Sequence, residues 1–329
     1  MGWFSRGVVV LVLIACRSKQ EAEQHASAPT VTEPSRPSPL VRSESLLAAR
    51  SLFKTTIVDR PEPRVAPEPP PAGVFRLIEY PAKPGKLAAY LTPDPGDRTK
   101  RPAIVWITGG DVASIGDVWS SQPVANDQSA GQYRAAGIVM MYPSLRGGNA
   151  NPGRHEGFYG EVDDVLAAAE FLAQQPYVDA TQIYLGGHST GGTLALLVAA
   201  AAPRDRFRAV ISFGAVHSPA AYGIPNEYTP VDLKNAEEER LRAPIEWINT
   251  VTTPTFIVEG ETGNLDSIDL IRQVNKKPNV QFFAIAGRDH FSVLAPINRY
   301  FASQIAGPWK TGPLVVDDEG LRQALGSPR

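Results

Sequence analysis

A serine between two alternating glycines, Gly187-His188-Ser189-Thr190-Gly191, stands just past the middle of the chain, and a further glycine, Gly192, follows. Gly-x-Ser-x-Gly is the pattern of a nucleophile elbow, a sharp strand-to-helix turn that holds a serine oxygen clear of the backbone. The flanks suit that turn. A β-rich run, Ile183 to Leu185, precedes it, and Leu194 to Ala202, apolar on all sides as a buried helix is, follows. A serine hydroxyl is a weak nucleophile at neutral pH, so it needs an imidazole to take its proton, a carboxylate to orient that imidazole, and N–H donors for the oxyanion that forms. No Gly-x-Gly-x-x-Gly or Walker-type string competes for a nucleotide, and one cysteine in the whole chain rules out a cysteine-built zinc site and an intrachain disulfide. The chemistry expected here needs no metal and no cofactor.

Positioning such groups takes a rigid scaffold. Eight β-rich runs begin at Val74: Val74 to Tyr80, Leu87 to Leu91, Ala103 to Ile107, Ile138 to Tyr142, Ile183 to Leu185, Ala209 to Phe213, Thr255 to Glu259 and Gln281 to Ile285. Several are almost wholly apolar, as strands covered on both faces are. Helical patterns alternate with them. Val162, Val165, Leu166, Ala169 and Leu172 fall at helical spacing behind the acidic start Glu161, Asp163 and Asp164. Strands alternating with helices predict an α/β class with a doubly wound, mostly parallel sheet.

Three motifs together, Ser144-Leu145-Arg146-Gly147-Gly148, Gly160-Glu161-Val162-Asp163-Asp164 and the Gly-His-Ser-Thr-Gly-Gly elbow, resemble the α/β-hydrolase superfamily, and within it prolyl oligopeptidase-like and dienelactone hydrolase-like domains. The resemblance runs from about Gly73 to Gly307. It implies an eight-stranded sheet with a modest insertion after the sixth strand, and the chain order serine, acid, histidine. That order leaves His217 and His290. The resemblance places the base at His290, in Gly287-Arg288-Asp289-His290-Phe291, whereas His217 either lines a pocket or is a partly buried loop histidine. For the oxyanion it implies the N–H of Thr190 and a donor from Thr108-Gly109-Gly110-Asp111, with Gly110 or Asp111 left open. The acid departs from the pattern. Gly260-Glu261-Thr262-Gly263 sets a glycine where the family carries aspartate, so Asp266, Glu259 and Glu261 stand as candidates, Asp266 doubling as a helix N-cap.

The insertion, Ala215 to Thr253, is long for a plain connection. Tyr222, Tyr228 and Trp247 are candidates for a pocket wall, and Glu237-Glu238-Glu239-Arg240 reads as a solvated helix face. Arg146 binds a substrate carboxylate or braces the Gly147-Gly148 loop. What remains is a serine hydrolase acting on an ester or a short peptide. Carboxylesterase is favoured over peptidase, since no clear cluster for a peptide terminus is present, and the alternative is a non-catalytic surface protein using the pocket for binding.

The ends of the chain read differently. Arg6 precedes the apolar run Val8 to Ile14, too short to span a bilayer core of about 30 Å. Leu13-Ile14-Ala15-Cys16 resembles the lipobox of bacterial lipoproteins, which implies a signal peptide over residues 1–15, cleavage before Cys16 and lipidation of that cysteine. Arg17, in place of an inner-membrane aspartate, leans towards the outer membrane in a Gram-negative cell envelope. Fourteen of the 30 prolines fall between Pro29 and Pro95, so residues 16–72 are expected to be a disordered tether, with a short helix around Ser45 to Phe53. The hydrolase domain is expected over residues 73–307 and a tail over 308–329. A formal net charge of −2 with scattered basic residues carries no electrostatic footprint for nucleic acid.

Overall fold

The computed structural model describes residues 45–58, 65–307 and 314–325. The signal peptide and lipidation site expected over residues 1–16 lie outside the described residues. All eight expected strands form, as β1 (Arg76–Ala82), β2 (Gly85–Leu91), β3 (Arg101–Ile107), β4 (Val139–Pro143), β5 (Val178–His188), β6 (Ala209–Phe213), β7 (Thr255–Gly260) and β8 (Val280–Ile285). They make one sheet in the order β1-β2-β4-β3-β5-β6-β7-β8, in which β1 and β2 run antiparallel to their neighbours and the rest are parallel.

The strands are apolar on both faces because each face meets helices. Along β3, Ala103, Val105 and Ile107 enter one core cluster while Ile104 and Trp106 enter the other, the two-residue period of a strand dividing them. The first face is covered by α3 (Glu161–Ala173), α4 (Thr190–Ala201) and α7 (Leu265–Val274), the second by α2 (Gly131–Ala135) and α8 (Leu294–Ala306). Every residue of α4 is buried, as its all-round apolarity predicts.

Two boundaries differ from the expectation. Residues 45–58, placed in the tether by their setting between proline-rich stretches, pack on the domain. Their helix α1 (Leu46–Ser51) is capped by the Ser45 hydroxyl and buries Leu46 and Ala49 in the first core cluster. Ile57 then bridges to Val231, and Thr55 and Thr56 donate to Glu238 at 2.8 and 2.7 Å. Proline density marks the stretches around this segment, but the segment itself holds no proline and enough apolar surface to dock. Beyond α8, helix α9 (Asp318–Leu325) buries Leu321 in the second core cluster, so part of the expected tail is also structured.

The insertion holds two short helices, α5 (Ala236–Arg240) and α6 (Pro244–Trp247). Glu238 is not solvated as expected. It is buried and pairs with the fully buried Arg242 at 2.6 Å, because Arg242 needs an anion once α5 packs down. Trp247 is core, its indole N–H donating to the Arg240 carbonyl at 2.8 Å.

Candidate active site

The parallel strands bring their C-terminal ends to one edge of the sheet. Ile107 pairs with Gly187, His188 with Phe213, and Gly260 with Ile285, so the segments that follow β3, β5, β6, β7 and β8 emerge side by side. Every residue singled out for catalysis lies at or after one of those ends.

Ser189 is the residue between β5 and α4, with φ 55° and ψ −117°, a conformation rare for a side-chain-bearing residue and expected at a strained elbow. Its N–H donates to the Phe213 carbonyl at 2.8 Å, and its own carbonyl accepts from the Thr193 N–H at 2.9 Å. The glycines answer to crowding. A Cβ at Gly191 would overlap the carbonyl oxygens of Ile107 and Thr108, so the helix start can lie against β3 only without a side chain.

His290 follows β8, and its Nδ1–H donates to Glu259 Oε2 at 3.0 Å. Glu259 is fully buried at the end of β7. Its two oxygens also accept from the N–H groups of Gly260 and Asn264 at 2.6 and 2.7 Å, which compensate a buried carboxylate. Asn264 then donates from Nδ2 to the Gly214 carbonyl at 2.8 Å. Gly214, with φ +61°, lies under the imidazole, where any Cβ would overlap the ring.

Of the three candidate acids, Glu259 meets His290. Asp266 is exposed on the first turn of α7, and Glu261 is exposed with its Oε2 accepting from the Gly287 N–H at 2.9 Å, which holds the loop leading to the base. The glycine at the family's aspartate position has a reason. A Cβ on Gly263 would overlap the Glu259 carboxylate, so the residue from the strand end occupies the space that a side chain at 263 would need.

The loop after β3 lies against the elbow, and a Cβ at Gly109 would come within 3.1 Å of the Ser189 Cβ. Gly109, also expected as an oxyanion donor, has its N–H 3.2 Å from the end of the Gln128 carboxamide. The Gly110 carbonyl accepts from the Thr190 hydroxyl at 2.8 Å, tying this loop to the elbow. Asp111 is exposed, with its carboxylate accepting from the Ala113 N–H at 2.8 Å. The N–H groups of Gly109, Gly110, Asp111 and Thr190 stay as the candidates.

His217 is spent elsewhere, its Nδ1 2.9 Å from the Ser267 hydroxyl, and burial pushes its pKa down. Arg146 braces a loop. Its guanidinium donates to both Asp164 oxygens, at 2.8 and 2.9 Å, and to Glu156 at 2.8 Å. Tyr222 stacks on Phe158 and meets Tyr228 edge-on, while its hydroxyl lies 2.9 Å from that of Thr193 on the first turn of α4. Gln128 and Asn264 escaped the sequence reading. Both lie in connections without periodicity, where an amide side chain carries no pattern that marks it.

A sequence profile of the Prolyl oligopeptidase family matches residues 126–264, which include Ser189 and Glu259 and stop short of His290. An uncharacterized peptidase of Bacillus subtilis, YtmA, is 24% identical over 195 residues, 56% of this chain and 66% of that protein. The crystal structure of a 2,6-dihydroxy-pseudo-oxynicotine hydrolase superposes with a TM-score of 0.56 at 16% identity, over 74% of this chain and 71% of that one. The dipeptidyl peptidase 4 of Porphyromonas gingivalis gives 0.53 at 18% identity over 66% of this chain, which spans 32% of that enzyme. The fold is that of the α/β-hydrolases. In this fold Ser189 follows β5, Glu259 ends β7 and His290 follows β8, which is the chain order serine, acid, histidine.

Proposed function

We propose that the protein is a serine hydrolase that cleaves an ester or amide through an acyl-enzyme. Ser189 attacks the carbonyl carbon and its proton passes to Nε2 of His290. Glu259 holds the Nδ1–H of His290 and stabilises the imidazolium. The N–H of Thr190, with that of Gly110 or Asp111, faces the oxyanion. Collapse expels the leaving group with the proton from His290, and water repeats the sequence on the acyl-enzyme. The observation that carries this reading is the 3.0 Å hydrogen bond from His290 to a carboxylate at the end of β7, in a chain whose β5 ends in an elbow serine. The non-catalytic alternative draws on the glycine at position 263; what supports the enzyme reading over it is that Glu259 lies against that glycine and accepts from His290.

A carboxyl ester is the substrate class taken first, while the names of the matched family and of the Bacillus relative favour a peptide. Parallel assays on a p-nitrophenyl acyl ester and on aminoacyl and peptidyl anilides decide between them. A fluorophosphonate probe should label the wild type and leave Ser189→Ala unlabelled, and an unlabelled wild type would reject the enzyme reading. The membrane anchor is a separate proposal. It rests on the short apolar run ending at Cys16, and Cys16→Ser should move the protein from the membrane fraction to the soluble one.

A further inference from the structure

His188, directly before Ser189, is fully buried, and both of its ring nitrogens face oxygen. Nε2 lies 2.9 Å from the main-chain carbonyl of His290, and Nδ1 lies 2.8 Å from Oε1 of Gln128, the atom that also accepts from Gly109. The His188 and His290 rings lie 4.5 Å apart between centroids, and the Phe291 ring lies 5.5 Å from the first and 5.0 Å from the second. Gln128 is itself anchored to β3, its carbonyl accepting from the Trp106 indole at 2.9 Å.

A main-chain carbonyl can only accept, so Nε2 carries a hydrogen. Burial, and then the adjacent His290 ring, push the pKa of His188 down to about 3, which leaves a neutral ring with one hydrogen to give. Nδ1 is therefore an acceptor and needs a donor. A half-turn of the Gln128 carboxamide about its last bond supplies one, its amide nitrogen replacing the oxygen at Nδ1 and withdrawing that oxygen from the Gly109 N–H. The geometry points to His188 as a positioning residue: its Nε2–H holds the His290 carbonyl while the Gln128 amide holds its Nδ1, so one imidazole fixes the base's loop against the nucleophile elbow and the segment that carries Gln128. Ser189 and His290 lie far apart in sequence, and a displacement of about 1 Å between reacting groups can cost about 10²-fold in rate.

The kinetic part of this inference rests on the serine hydrolase reading; the tautomer does not. Two-bond ¹H–¹⁵N correlation spectra of the full chain with labelled histidine should show His188 at pH 7 as a neutral ring protonated at Nε2, assigned by loss of its signals in His188→Gln. An Nδ1–H tautomer or a doubly protonated ring would overturn the inference. Fluorophosphonate labelling of His188→Phe should be slower by tenfold or more. His188→Gln, whose amide can still donate to the His290 carbonyl, should recover most of that loss with an unchanged melting temperature. Wild-type labelling by His188→Phe, or no recovery in His188→Gln, would overturn the positioning role. Should His188→Phe fail to fold, Gln128→Leu decides in its place: labelling slowed several-fold supports the role and labelling at the wild-type rate overturns it. A wild type that takes no label at all rejects the hydrolase reading instead, and the tautomer stays testable.

Discussion

Two histidine–glutamate pairs in this molecule share their chemistry and differ in use. Nδ1 of His290 lies 3.0 Å from Glu259, and Nδ1 of His155 lies 3.0 Å from Glu161; both glutamates are fully buried. The difference lies in what surrounds each pair. Nε2 of His155 is 3.0 Å from the Tyr228 carbonyl, and Nδ1 is buried beside Glu161 at ion-pair distance without hydrogen-bond alignment, so neither ring nitrogen is open to a substrate. Glu161 accepts from the N–H groups of Glu156, Gly157 and Tyr159 at 2.6, 3.2 and 3.1 Å and gathers the loop that enters α3. Among the described residues His290 is hydrogen-bonded through its ring only at Nδ1, to Glu259, and it stands beside the elbow through the His188 contact. A His–Glu pair is thus not a site in itself. The second ring nitrogen and the neighbour it faces decide between catalysis and structure.

The charges agree with that division. Burial pushes the His155 pKa down, but the Glu161 carboxylate and the Tyr228 carbonyl outweigh it and hold the ring at about 9. Burial likewise raises Glu161, and His155 with the loop N–H groups brings it down to about 2. The raised histidine contributes stability that is full below its unfolded value of about 6.5 and is lost as pH climbs through about 9. The lowered glutamate contributes stability that is full above its unfolded value of about 4.5 and is lost as pH falls through about 2. The pair is at full strength between those two unfolded values.

Substitutions can break the comparison. Glu259→Gln should cost about 10⁴ in kcat by misorienting His290 while the protein stays folded, which ester kinetics beside a melting curve would show; a rate near wild type would remove Glu259 from the triad. Glu161→Gln should do the reverse, lowering stability by roughly 3–5 kcal/mol with labelling of the folded fraction retained, as read by urea unfolding. His155→Gln should destabilise by about 2–3 kcal/mol near pH 6 and by little above pH 9, so unfolding at both pH values tests the sign. Gly263→Ala should slow probe labelling by about tenfold, because the new methyl displaces the Glu259 carboxylate. Asp266→Asn should change labelling not at all and stability by under about 0.5 kcal/mol, since the side chain is exposed on α7; a large loss of labelling there would reopen the choice of acid.

Much of the site was legible because its constraints are local. The elbow requires glycine beside the serine, and α4 is apolar all round because every side of it is covered. The acid was not legible. Glu259 is the last side chain of a buried strand and Asp266 points to solvent from the first turn of α7, yet in sequence they differ only by a few positions. Arg242 and Glu238 escaped for a related reason, since a run of charges on a short helix looks solvated until the helix is seen packed against Thr55 and the loop before α3.

Periodicity, glycine placement and the serine string, all interactions within a few residues, determined the eight strands and the elbow, while the choice of His290 as the base came from the family resemblance. Only the tertiary structure decided which carboxylate turns towards His290, which histidine–glutamate pair has a nitrogen to spare, and that residues 45–58 dock on the domain. Those outcomes depend on who occupies a shared volume. At Gly263 the volume is taken by Glu259, four positions away in sequence and in contact across the turn, and no local rule records such a choice.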